Sequence, residues 1–165
     1  MFNRLFPKQI DNDYRGHVLA MWLLVPLVAL KFLMGLNVAG LNPWVESRFV
    51  AQTADGIPLE TFGVEAASTV MFMFASWGLA LLVLSLLGAL ALLRYHAMIP
   101  LVYLLLSIEQ FGRKWIATVN PIVRSAPSDG ISFGLLINWG LMAALAVGLL
   151  LSLVPSRGKD QKAAA

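Results

Sequence analysis

Two ionisable side chains stand inside apolar segments of this 165-residue chain. Lys31 lies in the apolar segment 18–41, and Glu109 lies in the segment 97–115. Ionisable groups at membrane depth are costly and rare, and they mark proton, ion or ligand sites. A lysine and a carboxylate at that depth favour either a proton-handling or small-molecule pocket, or a buried ion pair that fixes the register of packed helices.

Counting along the helices places these two residues at one height. Counted at about 1.5 Å per residue from the cytoplasmic start of each helix, Lys31 lies about 20 Å deep and Glu109 about 18 Å deep. Asn138 and Ser76, counted on their own helices, reach a similar level. Arg113 follows Glu109 by four residues and lies on the same helix face, so it competes with Lys31 as a partner of the Glu109 carboxylate. The sequence therefore predicts a polar intramembrane cluster of Lys31, Ser76, Glu109, Arg113 and Asn138.

No other residue pattern indicates catalysis. The chain has no cysteine, which excludes disulfide exchange, iron–sulfur ligation and thiolate zinc sites. His17 and His96 stand beside tyrosine and arginine at helix ends, which is typical of a membrane–water boundary rather than of haem ligation. Phosphate loops, paired carboxylates and Ser-His-Asp arrangements are missing. We predict no catalytic residue, no metal and no cofactor.

Composition assigns the chain to the membrane. Hydrophobic residues make up 59% of it and charged residues 13%, against roughly 45–50% and 25% in soluble proteins. A membrane span needs about 20 mostly apolar residues. The predicted fold is one all-α domain over residues 1–165, an integral membrane four-helix bundle. Its predicted spans are residues 18–41, 66–93, 97–115 and 131–154.

The third span is the weakest of the four, because only residues 97–108 precede the first strongly polar group. The alternative is three spans, with residues 97–115 as a shallow re-entrant or interfacial segment. In the four-span arrangement seven Lys and Arg residues lie on the cytoplasmic side and four outside, as the positive-inside rule requires. The three-span arrangement gives the same count. We expect a bacterial inner-membrane protein with both termini in the cytoplasm and an uncleaved first helix.

Small side chains recur every four residues along the last predicted span. They are Gly140, Ala144, Gly148 and Ser152. Such a ridge allows another helix backbone to approach closely. We expect it to pack inside the bundle; a ridge that faced lipid would be a dimer surface.

The predicted outer loop, residues 42–65, is acidic because it holds four carboxylates and one arginine. Asp55 and Gly56 predict a turn within it. The loop is either a solvated connection or a surface for a ligand or partner.

Several residues occur in an order that resembles the DoxX-like four-helix membrane proteins. They are Lys31 in the first helix, Asp55-Gly56-Ile57-Pro58 in the outer loop, Glu65 at the start of the second helix and Arg94 at its end. The resemblance covers about residues 31–103. It implies a small bacterial membrane protein and, for some members, an association with quinone-linked oxidation. It assigns no catalytic residue to this chain.

These observations predict a small inner-membrane accessory or interaction protein without catalytic activity of its own. The expected partners are the lipid bilayer and either another membrane protein or a second copy of the chain. Nucleic acid is not expected, because the basic residues form no continuous stripe. Two alternatives remain. One is a redox-linked, quinone-associated subunit, which a bound chromophore would favour; the other is a small oligomeric transporter.

Overall fold

The structure, a computed structural model, describes residues 5–7, 9–121 and 133–155. Five α-helices account for most of this part of the chain, and it contains no strand. Two short 3-10 turns, Leu59–Thr61 and His96–Met98, lie between helices. The helices are α1 (Val18–Val38), α2 (Ser47–Thr53), α3 (Val64–Leu93), α4 (Ile99–Val119) and α5 (Phe133–Leu153).

The four long helices, α1, α3, α4 and α5, pack together as a bundle. A side chain at Gly88 of α3 would contact both Val28 of α1 and Val102 of α4, so three helices meet closely at this point. Tyr103 of α4 is fully buried and donates its hydroxyl hydrogen to the Ala20 carbonyl of α1 at 2.8 Å. The predicted all-α architecture is confirmed in the described residues. The buried core consists of Ala20, Leu24, Leu27, Val28, Ala91, Ile99, Val102, Tyr103, Leu106, Leu141 and Leu145.

Three of the described helices are long and apolar enough to cross a membrane: Val18–Val38, Val64–Leu93 and Leu136–Leu153. They indicate a membrane protein. Helix α4 has 21 residues, as α1 does, but it carries three charged side chains. They are Glu109, Arg113 and Lys114.

Local sequence determines where α1 begins and ends. Nδ1 of His17 accepts a hydrogen bond from the Leu19 N–H, which caps the first turn. At the other end Gly40 has a φ of 71°, in the left-handed region that favours glycine. The N–H groups of Gly40 and Leu41 then bond to the carbonyls of Asn37 and Leu36, which is a Schellman ending. This ending stops α1 at Val38, short of the predicted residue 41.

The segment that precedes α1, the end of α5 and the α3–α4 turn meet at one end of the bundle. The Ala97 N–H bonds to the Asp11 carbonyl at 3.3 Å, and the His17 N–H bonds to the Leu151 carbonyl at 3.2 Å. The connection between α1 and α3 lies at the opposite end, beside the last turns of α4. The helix axes therefore alternate in direction along the chain.

Residues 39–63, which we call the cap, are more ordered than the predicted outer loop. They contain α2 and a 3-10 turn, and they bury Ala51 and Leu59 against Val38 and Phe74. In place of the predicted turn, Asp55 and Gly56 lie in a bend that follows α2, where Gly56 has a φ of 68° and the Ile57 N–H bonds to the Ala51 carbonyl at 3.0 Å.

The remaining helix bounds differ little from those predicted. Helix α3 begins at Val64, two residues before residue 66, and α4 continues four residues past 115 to Val119. The predicted start of the last span, residue 131, lies outside the described residues.

Candidate functional site

A polar network occupies the bundle near the cap, and its centre is the contact between Lys31 of α1 and Glu109 of α4. The Lys31 side chain is completely buried, and 14% of the Glu109 side chain is exposed. Lys31 Nζ donates to Glu109 Oε2 at 2.5 Å and to Gln110 Oε1 at 2.6 Å. The lysine therefore has two oxygen partners on adjacent residues of one helix.

The second oxygen of Glu109 faces α3 and the end of α4. Trp77 donates its indole N–H to Glu109 Oε1 at 3.2 Å. Arg113, one turn further along α4, brings Nε to 3.6 Å from the same oxygen. Each oxygen of the carboxylate therefore faces at least one donor, and the donors come from three different helices.

Helix α5 joins the network through Asn138. Its Oδ1 accepts a hydrogen bond from Gln110 Nε2 at 3.0 Å and another from Arg113 Nη2 at 2.8 Å. The amide of Gln110 links Lys31 to Asn138, because its oxygen accepts from the lysine while its nitrogen donates to the asparagine. The four long helices all contribute to this network.

Arg113 connects the network to the cap. Its Nη1 lies 4.0 Å from Asp55 Oδ1, and its guanidinium stacks over the Trp77 ring with Cζ 4.8 Å from the ring centroid. The side chains of Arg113 and Asp55 are 28% and 21% exposed. The network thus runs from a buried lysine to a partly hydrated carboxylate at the cap.

The charges in the network balance. Lys31 and Arg113 supply two positive charges, and Glu109 and Asp55 supply two negative ones. Unpaired ions in a low-dielectric interior cost several kcal/mol each, whereas alternating partners offset that cost. The arrangement can hold helices in register without a ligand of either sign.

Four of the five residues predicted for the cluster lie in the network: Lys31, Glu109, Arg113 and Asn138. Ser76 does not. It is exposed on α3, and its hydroxyl donates to the Phe72 carbonyl at 2.8 Å. Counting residues along a helix fixes the height of Ser76 but not the direction in which it points.

Gln110 and Trp77 are network residues that the sequence reasoning missed. Gln110 is 2% exposed, and the buried positions Tyr103 and Leu106 precede it on the same face of α4. That helical spacing was a usable signal, because residues three and four apart share a face. Nothing in the sequence around Trp77 points to its bond with Glu109.

The predicted ridge on α5 lies only partly inside the bundle. A side chain at Gly148 would overlap the ring of Tyr103, and Ser152 is fully buried with its hydroxyl bonded to the Leu149 carbonyl. Ala144 is half-buried, but Gly140 is exposed and has nothing within 4 Å of where a Cβ would stand. The two ends of the ridge therefore face different surroundings.

A separate cavity of about 340 Å³ lies at the opposite end of the bundle, between the N-terminal segment, the start of α4 and the end of α5. Asp11, Tyr14, Arg15, Pro100 and Ser152 are among its lining residues, and no network residue is. Burial raises the pKa of Tyr14 to about 12, and its hydroxyl donates to the His17 carbonyl. The cavity and the polar network are therefore independent features.

The two histidines are both engaged with the backbone near that end. His17 caps α1, and Nε2 of His96 lies 2.8 Å from the Leu92 carbonyl. Among the described residues no three His, Cys, Asp or Glu side chains are grouped so that they could hold a metal ion.

Comparison with known protein families, curated proteins and solved structures finds no match to this chain. The fold therefore defines the class by itself, as an all-α bundle with three helices able to cross a membrane and a charge-balanced polar network inside. The resemblance to DoxX-like proteins stays a prediction.

Proposed function

We propose that this chain is a four-span inner-membrane protein that serves as an accessory or interaction protein and has no catalytic activity of its own. Whether α4 crosses the membrane is independent of what the polar network does.

The surroundings of the charges on α4 support a fourth span. Glu109 faces Lys31 inside the bundle, and Arg113 faces Asn138 and the cap. Lys114 lies close to the end of the helix, with Nζ 5.6 Å from the centroid of the Trp139 ring, and tryptophan beside a cation is typical of a lipid–water boundary. Since two of these charges are paired inside and the third lies at the boundary, α4 need not present a charge to the lipid interior.

Two reporter fusions test the span count. A cytoplasm-dependent reporter should be active after Ala165, and a periplasm-dependent reporter should be active when inserted after Asn120, just past α4. With the N-terminus confirmed inside, three spans would reverse both results. That reversal would sink the four-span proposal.

One observation carries the proposed role: the charged groups in the bundle are neutralised by one another, and none of them lines the cavity at the other end of the bundle. A substrate pocket needs open volume and polar groups left for the ligand. The network instead uses its charges to hold four helices together. This supports a structural role for the network and a function that depends on the outer surfaces of the bundle.

The test replaces the central pair and asks whether function survives. A Lys31→Met/Glu109→Leu variant that accumulates in the membrane to the wild-type level should restore growth and fitness to cells lacking the protein, although it unfolds at a somewhat lower temperature. A stable double variant that behaves like the deletion would overturn the proposal and point to a proton or ligand role for the pair.

The composition of the purified protein separates the other two functions. The proposal expects no visible absorbance and no quinone in a lipid extract at one molecule per chain. Stoichiometric quinone would support the redox-linked subunit instead. Uptake of a small solute into proteoliposomes by a stable oligomer would support the transporter. Either result would overturn the accessory role.

A further inference from the structure

Helix α3 is much longer than its neighbour α1, and their contacts show where it extends. A side chain at Gly78 would overlap the backbone of Val38 and Ala39, so Gly78 lies level with the end of α1. Residues 64–77 therefore project past α1, by about 21 Å at 1.5 Å per residue. The cap packs against this projection through Phe74.

At the same level the exposed face of α3 changes from mixed to wholly apolar. Before Trp77 it includes Glu65, Ser68, Thr69 and Ser76 beside the apolar Val64, Phe72 and Met73. After Gly78 the exposed residues of α3 are all apolar: Leu79, Ala80, Val83, Leu86, Leu90 and Leu93. A charge such as Glu65 and the non-helical backbone that follows Val38 must both lie outside the hydrocarbon. The boundary of the hydrocarbon on this side therefore passes close to the end of α1.

Part of the cap is tied to that boundary at two points. Leu41 follows directly on the Schellman ending of α1. Six residues later the Ser47 hydroxyl donates to the Val38 carbonyl at 2.7 Å, so α2 also begins beside the last turn of α1. The chain between these points, which includes Trp44, cannot move far from the boundary.

This stretch exposes large apolar side chains. Trp44 is 90% exposed, and Leu41 and Phe49 are each 61% exposed. The inward side chains of the cap, Ala51 and Leu59, are buried, so the exposed ones are not needed for its own core. Tryptophan favours the headgroup and glycerol level of a bilayer, where its ring is shielded and its N–H stays hydrated.

We propose that Leu41, Trp44 and Phe49 rest in the headgroup and glycerol region of zwitterionic phospholipid and hold the cap on the membrane surface. Helix α1 also exposes large apolar side chains, such as Leu30 and Leu33, and the patch follows directly after this helix in the chain, which favours lipid over a protein as its partner. Charge argues for zwitterionic lipid: the cap holds Glu46, Asp55 and Glu60 against Arg48, and anionic headgroups would repel it. The proposal holds for three spans or four, because α1 and α3 cross in both.

The absence of cysteine from the sequence allows a direct test in the full chain. Trp44→Cys and Phe49→Cys variants are each labelled with a nitroxide in phosphatidylcholine nanodiscs, and collision with oxygen and with a water-soluble nickel complex is measured. Leu33→Cys, at a lipid-exposed site within α1, is the lipid control. Glu60→Cys is the water control, because the carboxyl side chain of Glu60 is exposed on the cap.

The labels at positions 44 and 49 should collide with the nickel complex several-fold less often than the label at position 60. Their collision rate with oxygen should be nearly as high as that of the label at position 33. A nickel collision rate at 44 equal to that at 60 would show that the patch stands in water and would overturn the proposal. Protection from both reagents would also overturn it, because a protein surface would then cover the patch.

A label that lies deeper in anionic nanodiscs would contradict the choice of zwitterionic lipid. Since Trp44 packs little within the protein, its replacement should leave the melting temperature unchanged.

Discussion

Lys31 and Glu109 stand 78 positions apart in the chain, and Nζ of the lysine lies 2.5 Å from Oε2 of the glutamate inside the bundle. The lysine side chain is completely removed from solvent. Each charge stabilises the other, but the pair is not symmetrical. Glu109 also faces Trp77 and Arg113, whereas the second partner of Lys31 is the neutral amide of Gln110.

This asymmetry predicts unequal effects for the two single substitutions. Glu109→Leu leaves a buried lysine without a counter-ion and should destabilise by about 3–5 kcal/mol, as broken buried pairs do in soluble proteins. Lys31→Met should cost less, because Arg113 still neutralises the carboxylate. Thermal unfolding in one detergent measures both, and equal losses would show that Arg113 does not share the charge of Glu109.

The double variant Lys31→Met/Glu109→Leu tests whether the pair is coupled. Neighbours that share an interaction deviate from additivity, whereas distant sites add within about 0.5 kcal/mol. We expect the double variant to recover much of the Glu109→Leu loss, with a remainder due to the lost contact with Arg113. Simple addition of the two losses would contradict the contact.

Arg113 and Asp55 should contribute unequally to stability and to the attachment of the cap. Arg113→Met removes the bond to Asn138, the stacking on Trp77 and the positive charge that faces Glu109 and Asp55. It should cost about 1–3 kcal/mol, because the mostly buried carboxylate of Glu109 loses a charged partner. Asp55→Asn removes the charge from a contact of 4.0 Å between partly exposed groups, and should cost less than about 1 kcal/mol. The Asp55 variant should instead increase hydrogen exchange within residues 39–63. Unchanged exchange there would mean that this ion pair does not hold the cap.

The height of the network could be predicted from the sequence, but its membership could not be predicted completely. A helix rises by a fixed amount per residue, so Lys31 and Glu109 could be matched in depth from their positions alone. The direction in which a side chain points around the helix axis could not be predicted in this way. Successive residues differ by about 100° in that direction, and the packing of the other helices decides which residues face inward. Ser76 therefore points outward, while the adjacent Trp77 reaches Glu109.

The same geometry explains the ridge on α5. Steps of four residues advance about 40° beyond a full turn, so three steps rotate the stripe by about 120°. Ser152 and Gly148 consequently face the core and Gly140 does not. The secondary structure of the cap was missed for another reason: α2 has seven residues, and tertiary packing of Ala51 and Leu59 stabilises it rather than any strong local pattern.

Two buried serines differ in whether their hydroxyl group has a hydrogen-bond partner, so their alanine substitutions should affect stability differently. Within the described residues the Ser107 hydroxyl is buried and has no hydrogen-bond partner, whereas the Ser85 hydroxyl donates to the Leu81 carbonyl at 2.7 Å. An unsatisfied buried hydroxyl costs about 1–3 kcal/mol. Ser107→Ala should therefore raise the melting temperature or leave it unchanged, and Ser85→Ala should lower it. A clear loss at Ser107 would show that the hydroxyl binds a group such as a buried water.

Two glycines of α5 give the sharpest test of the packing. Gly148→Ala places a methyl group into the ring of Tyr103, which is fully buried and tied by its hydroxyl to the Ala20 carbonyl. The ring cannot rotate away without losing that bond. Overpacking of this kind costs about 1–3 kcal/mol, so the melting temperature in detergent should fall.

Gly140→Ala is the control on the same helix, since a methyl group there meets nothing within 4 Å. Alanine favours a helix over glycine by about 1 kcal/mol, so this variant should be as stable as the wild type or more stable. If Gly140→Ala instead weakens the protein, another surface must lie against this glycine. Light scattering would then show whether the substitution also dissociates an oligomer, which is expected if a second copy covers Gly140 and not if a lipid does.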